Sequence, residues 1–576
     1  MNKALILILP LLTIFITPAH ADWVQRSDEI TLQVMRAQGA YAPEAMSSSG
    51  LAEFDADISS PTEQDRQAEI AVNRQQIARL QKLLASEPEV KVRQDLEILI
   101  AALQREITTS ELRHARLIPF DNLHQALFGS IKALLDPRVA AERKPAALQR
   151  LRKYNGRADG YRPITELAIA ASAARFDING LLGPYRGEVE NLLENAPHLL
   201  VGLKSLLEQS ELRGWEEDYD LLASQLNAYA DWVRAEILPR SRDDSRLPAE
   251  LYANSLINYG VKMAPEELIH QAQYSYQLLR NEMQALARRI ARERKWEDDD
   301  LRSVIAKFKQ QQVPAAEVLP LYRDTLAQLE NIIRRQNIVT LPERAAVIRE
   351  ASEAESAASP ASYMSPPQLI GNTGQYGEFV LVQKNPALGE SSQMDDFSHA
   401  AIAWTLTVHE VRPGHELQFS TMVEEGVSLA RATYAHNSAN AEGWALYAES
   451  VMLPYLPPEG QLFALYSLSW RAARMFLDPM VNTGQLDRDG ARDFLMRELL
   501  MSEPMASSEA DRYAYRMPGQ ATSYYYGFMA LMSLRSELAV RLGDSFNQLA
   551  FHDFILQQGL LPPDLLREAV KTEFLP

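Results

Sequence analysis

The sequence predicts a mostly α protein: many helices and one small β element. Three observations carry that expectation. Apolar residues recur at helical spacings through much of the 576-residue chain, with Gly and Pro punctuating the segments. A single run, Glu378-Phe379-Val380-Leu381-Val382, is the best strand candidate. The composition, 46% hydrophobic and 23% charged, suits a globular chain with one large core or two domains.

Residues 1–21 read as a signal peptide: Lys3, an apolar run from Ala4 to Ile16, then Ala19-His20-Ala21 before Asp22. That run is too short to span a membrane, and no later stretch is long and apolar enough. The sequence contains no cysteine, which leaves no disulfide or lipid-bearing thiol and fits an exported, periplasmic protein. Secretion beyond the cell fits equally. A formal charge of −18 argues against nucleic acid and anionic membrane as partners. The one compact basic cluster, Arg150, Arg152, Lys153 and Arg157, reads as a solvated helix face.

Residues 61–117 read as a helical hairpin, with Ile70, Ile77, Leu80 and Leu84 before a break at Pro88 and Leu96, Leu99 and Leu103 after it. Further helices are expected near 122–134, 146–154, 163–174, 189–208 and 215–237. His114, His124 and His198 fall here without metal-like spacing and read as structural. The polar stretch 238–248, with a proline near each end, marks the expected boundary between an N-terminal helical region, 22–240, and a catalytic region, 241–576. Pro265-Glu266-Glu267 opens a helix running to about Arg294, with proline in its first turn and acids at the positive end of its dipole. Residues 351–367 read as a loop or lid. The strand candidate at Glu378 then serves either as a docking edge for extended substrate backbone or as a structural hairpin.

The chemistry concentrates in His409-Glu410-Val411-Arg412-Pro413-Gly414-His415. Imidazole suits zinc, and a glutamate beside the first ligand can take a proton from a metal-bound water. The two histidines are six apart, about 600° around an ideal helix, so one helix cannot aim both rings at one point. The helix must deform or end between them, and Pro413 and Gly414 supply the means. Alone, the stretch is read equally well as a helix end with two unrelated histidines. Downstream, Ala441 to Glu449 reads as a buried helix that stops at Pro454. Glu442 and Glu449 are two turns apart and share a face. Buried carboxylates are costly unless paired or metal-bound, and two histidines with a glutamate from a second helix form a catalytic zinc set with one open position. His436, between the two helices, reads as structural.

These motifs resemble a bacterial family, domain of unknown function 885. The resemblance rests on His-Glu-x-x-Pro-Gly-His continued by Leu417-Gln418, on Glu442-Gly443-Trp444-Ala445-Leu446-Tyr447 with Glu449, and on Pro518-Gly519-Gln520-Ala521-Thr522-Ser523-Tyr524 with Gly527, flanked by Arg512-Tyr513 and Leu534-Arg535. It covers about the last 330 residues well and is expected to extend over the whole mature chain. It implies a multi-helix, zincin-like metallopeptidase of the glutamate-zincin type with a small β element near its active site. His409, His415 and Glu442 would hold one Zn²⁺ per chain. Glu410 would be the general base, Tyr524 would stabilise the oxyanion, and Glu449 would orient a ligand. Gln520 shares a helix face with Tyr524. Arg512 and Arg535 either bind a substrate carboxylate or pair with structural acids. Where many relatives carry a further histidine, this chain has Glu416, which would add negative charge near the site. The expected substrate is a peptide. Two other readings are a non-catalytic helical periplasmic binding or scaffold protein with structural zinc, and an amidase acting on peptidoglycan.

Overall fold

The computed structural model describes residues 22–351, 355–356, 362–372, 374–383 and 396–575. The expected signal peptide, and part of the expected loop at 351–367, lie outside the described residues. The protein is mostly helical with one three-stranded sheet.

Three long helices, α1 (Asp22–Gly39), α2 (Glu63–Ser86) and α3 (Val90–Arg116), come first, with a short helical turn at Pro43–Ser48 between α1 and α2. α2 and α3 form the expected hairpin. The Thr62 hydroxyl accepts from the Asp65 N–H, satisfying a donor that the first turn would leave orphaned. Their apolar stripes, with Leu80, Leu96 and Leu99 fully buried, close over Ala430 in the segment between the histidine and glutamate motifs. Buried polar contacts fix that docking: Arg431 Nε donates to Asp95 at 2.9 Å, and the Tyr434 hydroxyl to Gln38 at 2.5 Å. Residues 123–237 enclose a core of their own around Ile131, Leu151, Leu203 and Leu222. The basic cluster here matches its expected role only in part. Arg150 is fully buried against Ser130, while Arg152 and Arg157 pair with Asp218 and Lys153 with Asp57. Acids from neighbouring segments pair with it, while Arg152 and Arg157 stay exposed, so the expected solvated face holds for those two and fails for Arg150.

The largest core is built from α4 (Pro265–Arg294), α5 (Ala400–Glu410), α6 (His415–Glu424), α7 (Ser438–Met452), α8 (Pro458–Asn482), α9 (Glu503–Asp511) and α10 (Thr522–Leu542). Nearly every residue of α8 from Leu462 to Asn482 is buried, the mark of a helix covered on all sides. It carries Arg471, Arg474 and Asp478 into the interior.

Strands β1 (Val347–Glu350), β2 (Tyr363–Ser365) and β3 (Glu378–Leu381) form the sheet in the order β1-β3-β2. The strand expected at Glu378 is the central one. It pairs in parallel with β1, Ile348 opposite Phe379, and antiparallel with β2, Met364 opposite Phe379. Both of its edges are therefore filled, and a peptide cannot add to it. Of the two outer strands, β2 is the one that reaches Glu410.

Candidate metal centre

α5 ends at Glu410 and α6 begins at His415. The reversal depends on Gly414: a Cβ there would stand 1.9 Å from the His409 carbonyl oxygen and 2.3 Å from that of Val408. The Arg412–Pro413 peptide is cis, and the Trp444 indole donates to the Pro413 carbonyl at 2.9 Å, tying the bend to α7. The two imidazoles, six positions apart in sequence, thus meet with ring centroids 4.9 Å apart and planes at 88°.

α7 starts where the Asn437 side chain accepts from the Asn440 N–H. One turn later Glu442 points at both histidines, with Oε2 3.2 Å from His415 Nε2 and 3.5 Å from His409 Nε2. One ligand atom from each of the three residues lies within 4.8 Å of the others, and the cluster could hold a metal ion. The spacing fits. Two atoms each roughly 2.0–2.1 Å from a tetrahedral zinc stand about 3.4 Å apart. His415 Nδ1 is buried and has no partner, so its Nε2 is the nitrogen engaged at the cluster.

The far side of His409 is held as firmly. Its Nδ1 lies 2.7 Å from Glu449 Oε1, and Glu449 Oε2 accepts the Thr405 hydroxyl at 2.7 Å. Burial works to depress the His409 pKa, but its hydrogen bonds to Glu442 and Glu449 hold it up at about 9. Burial would raise Glu442, yet His415 and His409 keep it well below the usual carboxylate range. Glu449 is likewise lowered against burial by its bond to His409. The two carboxylates thus favour a protonated His409, and a metal bound at this cluster would release that proton.

Glu410 lies next to the triad, and its Oε2 accepts the Met364 N–H of β2 at 3.0 Å. Tyr524 reaches the same place from α10. Gly443 and Gly527 allow this approach: a Cβ on Gly527 would stand 1.8 Å from the Ala439 carbonyl, so α7 and α10 touch backbone to backbone. Burial first, and then the neighbouring Glu442 charge, raise the Tyr524 pKa and keep it a neutral phenol. Gln520 donates to Ser438 at 3.0 Å and lies close enough to Tyr524 to offset part of that rise.

The structure brings together His409, Glu410, His415, Glu442, Glu449, Gln520 and Tyr524. Arg512 stands near Tyr524, 3.6 Å from Glu509, and outside the histidine–glutamate triad. Arg535 is elsewhere. It bonds Gln548 and covers Phe546, eleven residues beyond Tyr524 or about 16 Å along the helix. Glu416 does not add charge to the site. It is fully buried and bonded to Arg412 at 2.9 Å and Arg344 at 2.7 Å, which neutralise it away from the triad. His436 is exposed and within electrostatic reach of Glu442 instead of packed in the core. Sequence reasoning passed over Thr405, the Met364 N–H, Arg471 and Arg474. The two arginines had a signal, charges at helical spacing inside the apolar run 462–481; the backbone donor had none.

The family described as bacterial protein of unknown function (DUF885) matches residues 43–570. Two solved structures share the fold. One is described as a candidate lipoprotein of unknown function from Shewanella oneidensis, at 20% identity and TM-score 0.75, covering 96% of this chain and 100% of that one. The other is described as a candidate lipoprotein from Colwellia psychrerythraea, at 17% identity and TM-score 0.73, covering 95% of this chain and 98% of that one. The curated proteins searched contain no match.

Proposed function

Because the chain belongs to the bacterial DUF885 family, whose function is unknown, we propose on the strength of the site that it is an exported, zincin-like zinc hydrolase of peptide bonds. One observation carries the reading. Two imidazole nitrogens and one carboxylate oxygen converge at zinc-like spacing, with a second carboxylate beside them and a neutral phenol near Glu442. Among the described residues the cluster offers three ligands, which leaves a position for water and substrate. A purely structural site is usually closed by a fourth protein ligand.

His409, His415 and Glu442 would hold the Zn²⁺, whose chemistry is to lower the pKa of a ligated water and polarise the scissile carbonyl. Glu449 accepts from His409 Nδ1–H and so presents Nε2 to the cluster. Glu410 takes the water proton and hands it to the leaving amine. The Met364 N–H holds one Glu410 oxygen in place and leaves the other to carry the proton. Tyr524 donates its phenolic proton in a hydrogen bond to the carbonyl oxygen as charge builds there.

The test is elemental analysis combined with a peptide-library digest. The parent should carry about one zinc per chain and His409→Ala little. Glu410→Gln should keep the metal and lose cleavage by about 100-fold or more. A parent that stays metal-free after zinc loading would favour the binding or scaffold reading. Cleavage of peptidoglycan fragments with linear peptides untouched would move the substrate to the amidase reading.

A further inference from the structure

Beside the cluster lies a cationic wall that this reaction does not use. Arg471 and Arg474 come from α8, and Arg512 from the turn after α9. Arg474 forms a two-pronged pair with Glu509, at 2.6 and 2.8 Å, and its guanidinium lies 4.6 Å from the centre of the Tyr524 ring. Arg512 Nη1 reaches the same Glu509 carboxylate only at 3.6 Å, too far for a hydrogen bond, and this buried atom has no hydrogen-bond partner. Arg471 is 8% exposed. It donates from Nη1 to the Ser467 hydroxyl at 2.8 Å, while its Nε has no partner. It also lines a small cavity with His409, Glu449 and Trp470. All three arginines lie within electrostatic reach of Tyr524.

The charges do not balance. The three guanidiniums face the carboxylates of Glu509 and Glu449, and Glu442 is committed to the metal cluster. One positive charge is left over where the surroundings are largely dry. A buried charge in that position is costly until an anion joins it. Burial, followed by repulsion from Arg474, already lowers the Arg471 pKa. The missing anion belongs to a ligand, because the wall ends at Arg512, about a quarter exposed, and at Glu442, about a fifth exposed, where the site meets solvent. Unpaired guanidinium N–H groups match a carboxylate in charge and in geometry.

We propose that Arg471 and Arg512 form a subsite for a substrate carboxylate next to the metal cluster, so that the enzyme acts on short peptides with a free carboxylate near the scissile bond. This rests on the peptidase reading and narrows it. The carboxylate is either the C-terminus of the peptide, which makes the enzyme an exopeptidase at that end, or an Asp or Glu side chain.

The experiment reads binding without turnover, on the full chain carrying Glu410→Gln, by equilibrium ultrafiltration with mass spectrometry. Three N-acetylated tripeptide mixtures are the probes: free C-termini without acidic side chains, the same mixture amidated, and amidated peptides containing Asp or Glu. The free-acid mixture should be retained about tenfold over its amide, and adding Arg471→Gln and Arg512→Gln should abolish the difference. Retention of the acidic amides instead assigns the carboxylate to a side chain. Equal retention of all three, retention of none, or a preference that survives both substitutions overturns the subsite. Arg471→Lys keeps the charge and loses the fork. It serves if the double variant melts early, and it should weaken the preference several-fold; an unchanged preference again overturns the proposal. Cleavage and zinc content are measured separately on the parent. A carboxylate preference without any cleavage would sink the peptidase reading and leave the subsite standing, whereas cleavage without the preference would do the reverse.

Discussion

A methyl group on residue 414 would stand 1.9 Å from the His409 carbonyl oxygen, and backbone cannot yield to it as a flexible side chain would. Gly414→Ala should therefore open the turn and pull His415 away from His409. Zinc content should fall well below one per chain and stability by about 2 kcal/mol, read by elemental analysis and thermal melting. Full metal content in that variant would show that the turn can relax. Glu449 acts on the other side of His409. Its two oxygens are taken by the imidazole and by Thr405, so Glu449→Gln should weaken zinc binding about 10- to 100-fold in a chelator competition. At this scale the candidate ligands were legible, because His, His and Glu are chemically distinctive and the wrong spacing for one helix pointed to a break. Of the arginines that neutralise Glu416, Arg412 stands four residues before it, but Arg344 was not legible: it lies far away in sequence, and only folding sets it 2.7 Å from Glu416.

Helix packing sets where Tyr524 stands. Gly443 and Gly527 face each other across α7 and α10, and a Cβ at either would meet the opposite backbone within 3 Å. Gly527→Ala should force the helices apart and withdraw Tyr524 from Glu442 while leaving the triad on α5, α6 and α7. The expected result is normal zinc content with cleavage down about tenfold or more, since small misplacements near a reacting centre are costly. Loss of metal in step with activity would show that α10 supports the triad as well. The helices themselves were readable from their periodicity and their caps, and the hairpin of α2 and α3 falls within a few residues of its expected bounds. The sheet was half readable. β3 has the strand signature of Phe379, Val380 and Leu381, whereas β2 is three residues in a stretch that reads as loop and exists because β3 offers it a partner.

Asp478 ties distant parts of the chain together. Its fully buried carboxyl accepts from the Tyr252 hydroxyl at 2.9 Å, from the Gly519 N–H at 2.9 Å and from Asn482 at 3.2 Å, joining the helix Ala249–Asn258, α8 and the entry to α10. Burial pushes its pKa up to about 7, only partly offset by the Gly519 N–H and the Tyr252 hydroxyl. The folded state thus holds this proton more tightly than the unfolded chain does. The stability it contributes is complete below 3.8 and is lost as pH rises through about 7. Each tenfold displacement of that proton equilibrium is worth about 1.4 kcal/mol. Asp478→Asn cannot titrate, so its melting temperature should gain on the parent between pH 4 and 7 and then run parallel to it. Melting curves across that range check this, and a constant gap would mean that the carboxyl does not titrate there. Among the described residues, no helix is long and apolar enough to cross a membrane.

By itself the sequence determined that the chain is mostly helical and singled out the two histidines and the glutamate that the fold brings into one cluster, because periodicity, capping and ligand type are local properties. It also tied these motifs to a family. Tertiary structure alone decided that β3 is buried between two strands, that Met364 N–H holds Glu410, that Glu416 is neutralised and Arg535 remote, and that Arg471 and Arg512 each bring a buried N–H without a hydrogen-bond partner near Tyr524. Each of those is a contact between segments far apart in the chain, and which segments meet is settled by how α5, α7, α8 and α10 share one core.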